Sequence, residues 1–241
     1  MRTAVVSRLR PLYEALGLAA GVMVLTITVA YVLGWLTPGL DPLHRRFIAV
    51  LVLAVFATVV LVAKDRTILR AGGVEPRLLI IPGIIVLSPF AGGMKDVGFE
   101  TGSLLVAGYL ATGVYEELWF RGMILKSLHT WTPLRSACLS SALFGSAHLS
   151  NLAFGADPAV TAAQVIGAAC FGFGLAALRL RGTALWPLIA LHAVGDIALQ
   201  FGNMTSAWRW TNMIVSDTCM LIFGLIILRA STGRRSDSSI T

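Results

Sequence analysis

The sequence predicts an all-α, polytopic transmembrane helical bundle of about eight helices, with both termini in the cytoplasm. Three observations lead there. The chain is 56% hydrophobic and only 13% charged, where a soluble domain has about 25% charged residues, and its mean hydropathy is +0.80. Its apolar residues form continuous runs rather than short alternating segments, so helices are the spanning element. Its basic residues fall between the runs with a marked sidedness.

The runs cover about 16–36, 47–63, 78–90, 103–120, 136–152, 160–178, 183–201 and 210–228. The first follows Arg2, Arg8 and Arg10, as a signal peptide would, but it has spanning length and is expected to be a retained helix. The third is short and holds Pro82 and Pro89, which membrane helices tolerate when neighbours satisfy the freed carbonyls. Eight spans put Arg2, Arg8, Arg10, Lys64, Arg66, Arg70, Arg77, Arg121, Lys126, Arg135, Arg179, Arg181, Arg229, Arg234 and Arg235 on the cytoplasmic side. Arg45, Arg46, Lys95 and Arg209 fall on the other. The split is 15 to 4, and deleting the third span would destroy it. The net charge of +7 therefore reads as topology rather than a nucleic-acid surface.

Trp35, Trp186, Trp208 and Trp210 fall near helix ends, as interfacial anchors do. Gly17 and Gly21 form a GxxxG of little weight in a Gly-rich membrane chain. Cys138, Cys170 and Cys219 lack ligand spacing and read as small core residues. Residues 1–230 are expected to form one bundle, and the polar, Ser-rich stretch 231–241 a disordered cytoplasmic tail. No repeat, Cys/His cluster or Gly-rich phosphate loop occurs, so neither metal nor cofactor is expected.

Ionisable residues inside a bilayer are costly and mark functional sites by default. Here they are Glu116, Glu117, His148, His192, Asp196 and Asp217. Glu117 and Arg121 are four apart on one helix face, acid first, and form a plausible structural ion pair. Glu116 points about 100° away and is left free of that cation, as a general acid or base requires. Phe144 and His148 share a face at the same spacing, as do His192 and Asp196, where the carboxylate is positioned to fix the imidazole tautomer. Singly, each residue is as well explained by helix–helix hydrogen bonding. Three helices supplying Glu, His and His–Asp together make that explanation poor.

In order and spacing, Glu116-Glu117-x-x-x-Arg121, Phe144-x-x-x-His148 and His192-x-x-x-Asp196 resemble the EExxxR, FxxxH and HxxxN/D motifs of the CPBP family, the CAAX-protease and bacteriocin-processing (ABI) enzymes. The resemblance covers about 103–201. It implies a metal-independent intramembrane endopeptidase in which Glu116 and His148 activate water while His192 and Asp196 stabilise the oxyanion. It also implies a membrane protein or peptide as substrate, the lipid bilayer as surroundings, no nucleic-acid partner, and a multi-pass location in a bacterial plasma membrane. Asp196 stands where eukaryotic CAAX-processing members carry Asn, so it donates to an oxyanion only when protonated and otherwise acts through His192.

Helix rise sets a geometric condition on this reading. At ~1.5 Å per residue, Glu116 and His148 differ in depth by about 10 Å, unless the fifth helix begins lower or 123–134 lies in the interface. Three other classes stay open: a non-proteolytic family member acting in immunity, scaffolding or regulation; a transporter with a Glu/His proton relay; and a metalloprotease, although the chain has no HExxH.

Overall fold

The computed structural model describes residues 2–237, with side-chain environments from 9 to 230. A helix covers each of the eight apolar runs. The chain runs through α1 (Arg2–Leu36), α2 (Pro42–Asp65), the short α3 (Thr67–Arg70) and α4 (Pro76–Leu87), which a 3₁₀ turn, Ser88–Gly92, extends. α5 (Phe99–Glu117) continues through a π-helical stretch, Leu118–Ile124, into α6 (Leu125–Ser127). α7 (Pro133–Ala147) ends in a 3₁₀ segment, His148–Phe154, and α8 (Pro158–Leu180), α9 (Leu185–Phe201) and α10 (Ser206–Asp237) follow. α10 thus carries helix to Asp237, into the stretch expected as a disordered tail, and residues 238–241 lie outside the described residues.

Among the described residues, four helices are long and apolar enough to cross a membrane: Leu9–Leu36, Pro42–Asp65, Pro158–Leu180 and Ser206–Ala230. Pro76–Gly92 and Leu185–Phe201 are shorter apolar helices. Within the apolar 18-residue stretch of each of the four long spans, only 22–33% of the residues are buried. Val24, Val59, Ile84, Ile166 and Ile214 instead face outward, a surface that water would not tolerate and that acyl chains solvate. The molecule is an all-α integral membrane bundle.

Helix starts are written locally. Asp41, Thr132 and Asp157 each accept a backbone N–H of the first turn, and each precedes a proline at the first helical position. That position has no intrahelical partner for an N–H, so proline loses nothing there. α8 is the central post, packed against α7 on one side and α10 on the other, while α5 packs against α2 and α9, and α9 against α4. Small residues permit the closest approaches: a Cβ on Gly145 would come within 2.3 Å of the Val165 carbonyl of α8.

The two ends of the bundle are tied separately. At one end Gly73 bridges Thr183, Arg179 donates to the carbonyls of Ala71 and Thr183, and Lys126 pairs with Asp65. At the other Met94 bridges Gly202, and Lys95 donates to the Gln200 carbonyl. The basic loops 64–77 and 179–184 share the first end, which agrees with the charge pairing read from the sequence. Arg121 leaves that count because it is buried within the bundle.

Of the smaller expectations, the one for the cysteines changes. Cys138 and Cys219 are exposed and Cys170 half-buried, so none of the three is a core residue. A Cβ on Gly17 or Gly21 would meet nothing within 4 Å, so their spacing marks no helix contact. The four tryptophans are all exposed close to helix ends, where an amphipathic ring suits the interface.

Candidate active site

The glutamate pair sits at the last two positions of α5, where the helix widens into the π stretch. Glu117 and Arg121 are fully buried and joined at 2.9 Å. The guanidinium also donates to the Gly172 carbonyl of α8 at 3.0 Å and lies 4.3 Å above the Phe144 ring. Gly172 makes this possible, since a Cβ there would come within 2.7 Å of both Arg121 Nη2 and Phe144 Cδ1. Arginine is suited to this place because its planar, always-charged fork can pair, donate and stack together.

The same Glu117 Oε1 accepts a hydrogen bond from His192 Nδ1 at 2.8 Å. Glu117 is therefore more than the partner of Arg121: it sets the His192 tautomer, a role the sequence spacing assigned to Asp196. Asp196 Oδ2 instead stands 3.7 Å from His192 Nε2, and Glu116 Oε2 lies 3.4 Å from that nitrogen on another side. Helical spacing correctly separated Glu116 from the ion pair. Its Oε2 is buried without a hydrogen-bond partner.

His148 caps the end of α7, where its Nδ1 donates to the Phe144 carbonyl at 3.0 Å. A carbonyl only accepts, so in the neutral ring the proton is on Nδ1 and Nε2 keeps its lone pair. Phe144 stands between the two histidines, edge-on, with ring centroids 5.0 Å from His148 and 5.8 Å from His192. His148, His192 and Asp196 line one cavity of about 150 Å³. Glu116 joins them through its approach to His192. Among the described residues, no group of three His, Cys, Asp or Glu side chains is disposed to hold a metal ion.

The depth condition is met by a feature that the apolar pattern did not reveal. Helix continues without a break from Phe99 to Ser127, and α7 begins at Pro133. Counted from that shared turn at ~1.5 Å per residue, Glu116 and His148 stand about 17 and 22 Å along their helices. The mismatch shrinks to roughly 5 Å, which side chains span. The π stretch, all seven residues of it buried, was the missing element; wide turns of this kind recur at functional sites. Its one sequence signal was the return of apolar residues, Met123-Ile124-Leu125, directly beyond Arg121 and Gly122.

The cavity occupies the half of the bundle where α4, α7 and α9 end and α8 and α10 begin. That is the half away from the basic loops.

Residues 99–198 match the Rce1-like family model, type II CAAX prenyl endopeptidase Rce1-like. The match spans 100 of the 241 residues, from the start of α5 into α9, and contains all three motifs. It bears out the resemblance to the CPBP family and supports, at family level, an intramembrane endopeptidase of that type. No curated protein matches the chain.

Proposed function

We propose that the chain is a metal-independent, glutamate-dependent endopeptidase that cleaves a membrane-embedded or membrane-anchored peptide. The single observation that carries this reading is the meeting at His192. One carboxylate, Glu117, orients its Nδ1, while Glu116 and Asp196 face its Nε2 from within 3.4 and 3.7 Å.

In the proposed reaction, Glu116 and the Nε2 lone pair of His148 hold a water molecule. As its oxygen bonds to the scissile carbonyl carbon, its proton passes to Glu116. The negative charge that develops on the carbonyl oxygen is met by His192 as imidazolium, steadied by Glu117 and by Asp196. Glu116 then returns the proton to the amide nitrogen as the C–N bond breaks, giving a carboxyl and an amine. A cavity with few waters strengthens each of these contacts. Proton transfer by a placed side chain contributes about 10²–10⁴-fold.

The proposal extends to the topology: one bundle over 1–230, eight spans, both termini cytoplasmic, in a bacterial plasma membrane. The sidedness of the basic loops supports that orientation. In it the cavity lies in the outer half of the bilayer, so the substrate bond is reached from within the membrane rather than from the cytoplasm.

The test uses purified chain and a panel of membrane-anchored peptides. Cleavage should be lost in Glu116→Ala and in His148→Ala and be unaffected by chelators. Cleavage that persists in Glu116→Ala refutes the mechanism. Loss on chelation with recovery on adding zinc would make it a metalloenzyme. A folded chain that cleaves none of the panel would favour a non-proteolytic immunity, scaffold or regulatory role.

A further inference from the structure

The cavity has a second polar wall. Asp217 and Asn212 on α10 line it together with His148, His192 and Asp196, and both lie outside the matched residues 99–198. The Asp217 carboxylate stands against Gly167 of α8, where a Cβ would come within 2.4 Å of Oδ2. Among the described residues no cation pairs with Asp217 and no donor hydrogen-bonds to it.

Asn212 is 94% buried, its relative exposure being 6%. Its Nδ2 donates to Ser88 Oγ at 2.8 Å. Ser88 has already given its hydroxyl proton to the Ile85 carbonyl, so its oxygen only accepts from Asn212. The amide orientation is thereby fixed, and Asn212 Oδ1 is left buried without a partner. The wall therefore offers two kinds of acceptor, a carboxylate and an amide oxygen, and the described residues supply a donor to neither.

α8 serves as a ruler between the two walls. Gly172 lies beside Phe144, so His148, one turn further along α7, is level with about residue 168. Gly167 lies beside Asp217. His148 and Asp217 thus flank α8 at the same depth, within the width of one helix, roughly 10 Å. A side chain one or two residues from a carbonyl held at His148 reaches that far. An unpaired carboxylate in a membrane interior is costly and calls for a cation. Lysine and arginine are donor-only groups, which is what two unpartnered acceptors complement.

We infer that Asp217 and Asn212 form a subsite for a basic side chain of the substrate, lysine or arginine, close to the bond that is cut. The inference rests on the proposed endopeptidase reading, but its test does not require turnover.

The probes are fluorescent membrane-anchored peptides carrying a single lysine at successive positions, each with a norleucine counterpart. Binding is measured to the Glu116→Gln chain in liposomes, alone and combined with Asp217→Asn or Asp217→Glu. At one position or more, lysine should bind at least about tenfold tighter than norleucine, as a desolvated charge pair does. The ratio should fall toward one with Asp217→Asn and survive with Asp217→Glu; Asp217→Ser replaces the Asn variant if that one fails to fold. Equal binding of the two peptides at every position overturns the inference, as does a ratio that persists in Asp217→Asn or an equal loss on both peptides. Lysine preference without cleavage by the parent chain leaves the subsite standing and overturns the endopeptidase reading alone.

Discussion

Glu116 and Glu117 are neighbours in the chain and end in two different regions of the molecule. Glu117 belongs to a dry polar knot with Arg121, the Gly172 carbonyl and the face of Phe144, fully enclosed between α5, α7 and α8. Glu116 reaches the rim of the cavity through His192 Nε2, and there Asp196, His148 and Asp217 have few or no partners among the described residues. His192 is the hinge between them, Nδ1 in the knot and Nε2 at the rim. The contrast teaches how a membrane bundle sustains so many ionisable groups. In the knot, each charge is balanced and removal of one partner strands another. At the rim, charges are left for water, substrate and reaction to meet.

If that division is right, the two regions fail in different ways under substitution. The largest effect expected is on activity: Glu116→Gln should lower the cleavage rate by about 10²–10⁴-fold while the unfolding temperature in detergent stays at the parent value. A large fall in that temperature would mean that Glu116 is part of the knot. Arg121→Ala should do the reverse, destabilising the fold by about 3–5 kcal/mol because Glu117 is left as an uncompensated buried charge. Thermal unfolding reads this directly, and near-parent stability would break the comparison.

Gly172→Ala probes the same knot more gently. The added methyl must displace Arg121 Nη2 and a Phe144 ring carbon from 2.7 Å, at a cost of about 1–3 kcal/mol. Activity per folded molecule should fall less than stability does. The smallest effect belongs to the tie at the basic end, where Lys126 and Asp65 have side chains 54% and 29% exposed. Lys126→Ala should cost at most about 1 kcal/mol. A larger loss would make that end, and not the knot, the mechanical anchor of α5.

Much of this was legible without coordinates. A helix covers every apolar run, including the doubtful third, because a bilayer permits few other ways to satisfy a backbone. The i,i+4 relation joined Glu117 to Arg121 and set Glu116 apart, since helical spacing is a local property that neighbours cannot revoke. The cysteines were misread because burial in a membrane protein means facing protein, while hydropathy is equally satisfied by facing lipid. The partner of His192 was misassigned for a related reason: Asp196 shares its face along α9, but Glu117, 75 residues away in sequence, reaches Nδ1 across the interface.

By itself, then, the sequence determined the class of fold, the apolar helices, the charge asymmetry of the basic loops and the residue types of the candidate centre. These follow from periodicity, hydropathy and charge, which act within a helix or against the solvent. Only the tertiary structure decided which nitrogen of His192 meets which carboxylate, how the π stretch and the low start of α7 bring Glu116 and His148 to similar depth, and that Asp217 and Asn212 face the same cavity. Those depend on how helices far apart in sequence rotate and slide against one another. That packing is set by small residues such as Gly145, Gly167 and Gly172, whose contacts no local pattern records.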